Sequence, residues 1–163
     1  MRFHGIDPGL HGAWAVLDGK GGLVTVLDLP LLEDGKRVDT HALSVRAASL
    51  GTTDRIYVER FLARYATEAH IRSAVNYGRL LSAIEFHALD YEEVGAADWK
   101  RRMGIMRKKG ERKSTKARKA RSMALAEELF GTCFEHDGQA EAALVAEDGR
   151  RRWNASRDTR RAC

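Results

Sequence analysis

Apolar and polar residues alternate with a period of two through the opening of the chain. Arg2 to Asp7, Gly12 to Asp18 and Leu23 to Leu29 each read as a strand, and Pro8-Gly9 and Gly19-Lys20-Gly21-Gly22 between them are hairpin chemistry. The Trp14/Val16 and Leu23/Thr25/Leu27 sets suit antiparallel strands with one face on a core. Arg55 to Glu59 is a β-branched and aromatic run ending in a carboxylate, which predicts a buried central strand. From about Tyr65 to Leu89 the spacing becomes helical, with Ala74, Tyr77, Gly78, Leu81, Ile84 and Ala88 recurring every three or four residues. Gly78 within such a helix costs about 1 kcal/mol against Ala, so close packing against a neighbour is expected there. Tyr91 to Gly95 predicts a short strand. A helix follows from about Ser114 to Phe130, with Met123, Ala126, Leu129 and Phe130 on one side and Gly131 as its stop. The last helix runs from near Asp137 to about Arg152. The order βββ, β, α, β, α, α, without repeat or long linker, is that of an α/β protein.

At 163 residues the chain fits one domain with one core, and 44% hydrophobic content excludes a disordered chain. The expected division is a body over residues 1–149 and a basic tail over 150–163. Charge sharpens this picture. Between Trp99 and Arg121 stand twelve lysines and arginines against Glu111 alone, a net of +11, so that within a total of +5 the rest of the chain carries −6. The tail adds six arginines against Asp158. Such segregation points to a polyanion partner, nucleic acid first among them. No apolar run approaches the roughly 18 residues of a membrane span, so no membrane partner is expected, and the start of the chain has no signal-peptide core. Cys133 and Cys163 are far apart and without zinc-site spacing, which makes a reducing cytoplasm the expected location.

Four carboxylates are candidates for chemistry. Asp7 and Glu59 each close a strand; if those strands are neighbours, the two acids project into one place and repel unless cations neutralise them. Magnesium, with its preference for one or two carboxylates plus water and phosphate, suits such a place. Asp137 and Glu141 stand four apart at the start of the last helix, on one helical face. Ala140, Ala142 and Ala143 are small enough to let that helix approach a sheet. Asp137 followed by Gly138 reads equally well as a helix cap.

Gly5-Ile6-Asp7-Pro8-Gly9, Tyr57-Val58-Glu59-Arg60-Phe61, Tyr77-Gly78-Arg79-Leu80-Leu81, Trp99-Lys100-Arg101-Arg102-Met103-Gly104, Lys116 and Asp137-Gly138-Gln139-Ala140-Glu141-Ala142 resemble, in order and spacing, the RuvC-type Holliday-junction resolvases, over about residues 2 to 149. The Asp-Gly-x-Ala-Glu-Ala ending is similar to that of the short phage-borne branch. The resemblance implies a ribonuclease-H-like α/β fold, a mixed five-stranded sheet flanked by helices, a homodimer, and Mg²⁺-dependent incision of branched DNA that leaves a 5′-phosphate and a 3′-hydroxyl, with Mn²⁺ an alternative ion. Carried over by position, Asp7, Glu59, Asp137 and Glu141 would be the catalytic acids and metal ligands. Phe61, Lys100, Arg101, Arg107, Lys108, Lys109, Lys113 and Lys116 would meet DNA. One departure is that cellular members place the last two acidic positions three apart, where this chain has Gly138, while Asp137 stands four before Glu141 and next to His136. An RNA-directed nuclease of the same fold and a non-catalytic DNA-binding module are the competing expectations, together with a phosphotransferase of the sugar-kinase type, which would need a second such domain.

Overall fold

The computed structural model describes residues 1–62, 66–87, 89–107 and 114–161. Strands β1 (Phe3–Ile6), β2 (Ala13–Leu17) and β3 (Leu23–Asp28) form an antiparallel meander, followed by helix α1 (Thr40–Ala48), strand β4 (Arg55–Glu59), helix α2 (Glu68–Phe86) and strand β5 (Tyr91–Val94). Helices α3 (Ala96–Arg102), α4 (Thr115–Phe130) and α5 (Asp137–Arg161) complete the chain. The sheet order is β3-β2-β1-β4-β5, with β1, β4 and β5 mutually parallel and β2 alone reversed, antiparallel to both β1 and β3. This is the expected mixed five-stranded sheet flanked by helices.

Strand alternation divides the core into two layers. Phe3, Ala13, Ala15, Leu17 and Tyr57 face α4 and α5, whereas Ile6, Trp14, Ile56 and Val58 face α1 and α2, where Leu43, Leu80 and Ile84 cover them. Helix α5 lies almost on the backbone of β1. A Cβ on Gly5 would stand 2.1 Å from the Ala142 carbonyl oxygen, and one on Gly149 would stand 2.2 Å from the Tyr57 ring. The fully buried Ala140, Ala142, Ala143 and Ala146 give the helix the smooth face that such an approach needs.

Three expectations are corrected. Gly78 has nothing within 4 Å of where its Cβ would be, because the buried face of α2 is turned by about one residue to Asn76, Leu80, Ala83 and Ile84. Two helices lay unread: α1, capped by Asp39 and burying only Leu43 and Ala47, and α3, hidden inside the basic stretch. The basic tail is a continuation of α5 through Arg161, and its first three arginines do not face solvent as free cations. Arg150 and Arg151 hold the buried Glu147, while Arg152 bonds the buried Asp148 and Glu92.

Candidate active site

Parallel pairing of β1 with β4 sets Ile6 opposite Val58, so the residues that follow each, Asp7 and Glu59, leave the same edge of the sheet side by side. The chain turns immediately after Asp7. The Asp7 N–H donates to the Ala13 carbonyl at 3.0 Å, the Gly12 N–H to the Gly9 carbonyl at 2.9 Å, and a Cβ on Gly12 would lie 2.0 Å from the Asp7 carbonyl oxygen. Glycine is therefore required to close the turn that aims the Asp7 carboxylate, whose Oδ1 accepts the Gly9 N–H at 3.0 Å. Asp7 and Glu59 line a cleft of about 240 Å³ together with Pro8, Phe61 and Ser73. Phe61 is braced by tilted ring contacts with His70 and Tyr77, at centroid separations of 6.5 and 6.2 Å.

Gly95 turns β5 directly into α3, which carries two further groups to the acids. The indole N–H of the fully buried Trp99 donates to Glu59 Oε2 at 2.6 Å. The Lys100 ammonium lies 4.7 Å from the centre of the Trp99 ring and donates to Glu141 Oε2 at 2.9 Å. Ser122 of α4 donates to the other oxygen of Glu141, also at 2.9 Å.

The electrostatics of this place are unbalanced. Burial, and then the charge of Glu59, push the Asp7 carboxyl up to about 8; Glu141 adds to this, and the Gly9 N–H and Lys100 oppose it only in part. Burial likewise raises Glu59, with Glu141 working in the same direction and Lys100 and the Trp99 N–H against it. Three carboxylates thus share a region of low dielectric with one buried ammonium. That surplus of hard oxygen donors is the chemistry a divalent cation of the magnesium class requires, and in this sense the residues fit one. Among the described residues, no three His, Cys, Asp or Glu side chains are drawn together as the ligands of a single ion.

The sequence-predicted residues separate into groups. Asp7, Glu59 and Glu141 act on one another electrostatically, and Phe61 lines the same cleft. Asp137 stands apart: its carboxylate is paired with Lys119 at 2.8 Å, and the leading charges acting on Asp7 and Glu59 are others. The cap-like bond at the start of α5 is made instead by His136, whose Nδ1 accepts the Gly138 N–H at 3.2 Å, while His136 and Gln139 both bond Asp28 at 2.9 Å. Lys100 is buried against Glu141 rather than presented to solvent. Arg101 is exposed and pairs with Asp98, Lys116 is exposed on the first turn of α4, and Arg107 borders a separate cavity. Lys108, Lys109 and Lys113 lie outside the described residues. Sequence reasoning missed Trp99 and Ser122 as partners of the acids. A signal existed for the first, since a buried indole N–H needs an acceptor.

No protein-family model matches the sequence, and no curated protein matches it. Solved structures do. One described as T. thermophilus RuvC in complex with Holliday junction substrate superposes with a TM-score of 0.61 at 16% identity, covering 91% of this chain and 92% of that one. A second, described as Thermus thermophilus RuvC structure, gives 0.57 at 17% identity over the same shares. The likeness shows a common fold across nearly the whole of both chains.

Proposed function

We propose that the chain is a metal-dependent endonuclease that hydrolyses phosphodiester bonds in branched DNA such as Holliday junctions. The observation that carries this reading is that Asp7 and Glu59 leave adjacent strand ends into one cleft and act on each other and on Glu141 electrostatically, with burial leaving Asp7 and Glu59 short of compensating charge. Likeness of fold to a RuvC seen with Holliday junction substrate supports the choice of branched DNA. The Asp137-to-Ala142 sequence supports a place in the phage-borne branch, acting in the cytoplasm of a cell or host.

Asp7 and Glu59 would hold Mg²⁺ or Mn²⁺ with Glu141. The ion's contribution would be to polarise the phosphate and activate a water at neutral pH. The chain's own groups do the rest. Trp99 fixes the rotamer of Glu59, Ser122 fixes that of Glu141, and Phe61 offers a face for a base at the cleft mouth. Lys100, released from Glu141, has the reach to meet a phosphate oxygen. Asp137 is a weaker candidate for ligation, because Lys119 already balances it.

Paired cuts need two such centres, and we read the protein as a homodimer. Ile71, Val75 and Phe86 of α2 are 58%, 52% and 80% exposed and share one stripe with Gly78, a face suited to a second copy of the same helix. The test is cleavage of four-way DNA, flap DNA, duplex DNA and RNA hybrid with Mg²⁺ present. Incision of the four-way substrate in preference to the others is expected. Preference for the RNA hybrid would favour an RNA-directed nuclease, and binding without incision would favour a DNA-binding module.

A further inference from the structure

A second cavity, of about 330 Å³, opens between the end of α3 and the first turn of α4, and Lys100, the partner of Glu141, lines it. Its walls are of two kinds. Ile105 and Met106 give an apolar floor, and Lys100, Arg118, Ser114 and Thr115 stand around it, with Arg107 and Arg121 completing a lining that among the described residues contains no carboxylate. The floor is held in place: Gly104, at φ +74°, turns the chain out of α3, the Ile105 N–H bonds the Lys100 carbonyl at 3.0 Å, and Arg121 Nε bonds the Ile105 carbonyl at 3.1 Å. Lys100 is common to both places, because its ammonium reaches Glu141 while its side chain forms part of the cavity wall. The cavity is therefore one side chain away from the acids.

Cations alone would describe a phosphate contact, which an open surface makes equally well. An apolar floor inside a cationic rim, in a hollow at the lower end of the range for small-ligand sites, describes something larger that is flat at one end and anionic at the other. A nucleotide in a paired, stacked duplex cannot present its base to such a hollow, whereas an unstacked one can. We propose that this cavity receives one unstacked nucleotide adjacent to the bond that is cut, its base on Ile105 and Met106 and its phosphate among Arg118, Ser114 and Thr115. This inference rests on the nuclease reading and adds the feature of a branch that the site recognises: a base free of its stack at a fixed distance from the acids.

The experiment uses the full chain carrying Asp7→Asn, bound to four-way junctions that each contain a single 2-aminopurine at a different step from the branch point. Fluorescence should rise at one step and stay flat at the others. Met106→Trp, which fills the hollow, and Arg118→Gln, which removes a cation from its rim, should each abolish that rise, with circular dichroism reporting an intact fold. Flat fluorescence at every step, or a rise that survives both substitutions, would overturn the inference even where the wild-type chain cuts the same junctions. Failure of the wild-type chain to cut any of them with Mg²⁺ would overturn the nuclease reading, and with it this placement.

Discussion

Two regions of the molecule bury carboxylates, and they treat them in opposite ways. In the middle of α5, Glu147 and Asp148 are nearly inaccessible, yet each has arginines to spare. Arg102 grips Asp148 with two bonds of 2.6 and 2.7 Å, and Arg150 and Arg151 both hold Glu147. Burial alone would raise Glu147, but the bonds from Arg150 and Arg151 outweigh it and hold its carboxyl below the usual range. At the strand ends, one buried ammonium and the exposed Arg118 face three acids, and Asp7 is driven the other way. Acid content is therefore alike in the two places. The local balance of charge separates them, with a surplus of arginine around Glu147 and Asp148 and a deficit of cations around Asp7.

The comparison can be broken most forcefully at Asp7. Asp7→Asn should lower incision by at least roughly 10³-fold, on the scale of losing one directly acting electrostatic group. Junction affinity by gel shift should hold or rise. Arg102→Leu should do the reverse: it removes two charged bonds from Asp148 but leaves Arg152 on it, so it should cost about 2 kcal/mol in urea unfolding, while incision per folded molecule stays near the wild-type rate. Trp99→Phe keeps the ring and deletes the N–H to Glu59. Loss of such an outer partner should weaken Mg²⁺ affinity by roughly 10- to 100-fold, read by calorimetric titration.

The finest test is stability against pH without metal. A carboxyl raised to about 8 from an ordinary 3.8 binds its proton more tightly in the folded chain, so Asp7 withdraws stability as pH climbs from 4 to 8. Glu147, held low, contributes stability above the usual carboxylate range and loses it as pH falls below that range. Asp7→Asn should raise the melting temperature by several degrees at pH 8.5, by less at pH 5 and hardly at all below pH 4. Mg²⁺ should raise it for the wild type and not for the variant. A variant that melts below the wild type at pH 8.5 would contradict the charge deficit.

The sequence disclosed the sheet well because its signal is local. Alternation and the turns at Pro8-Gly9 and Gly19 to Gly22 suffice for the meander, and two strands that end in carboxylates disclose Asp7 and Glu59. The alanines around Glu141 foretold the close approach of α5. What stayed hidden depends on partners distant along the chain. Asp137 lies on the expected helical face, but Lys119, from another helix, occupies it. Ser122 becomes a partner of Glu141 only once α4 packs on α5. Lys100 reads as a surface cation in a run of cations, and only the fold buries it. The tail arginines misled in the same manner, since the acids that hold them lie in the helix itself or, for Glu92, on β5.

The seating of α5 on β1 also has a kinetic side. Gly5 meets Ala142 across most of the chain's length, so Asp7 and Glu141 come from opposite ends of the chain, with Glu59 between, and cannot assemble through local contacts. Closing so long a loop costs entropy before its contacts repay it, which slows folding. During synthesis, β1 and its Asp7 leave the ribosome long before Glu141 is made, and a nascent or prematurely ended chain carries a sheet with its acids incomplete. The set of three acids is thereby complete only once translation has entered the helix that covers the first strand.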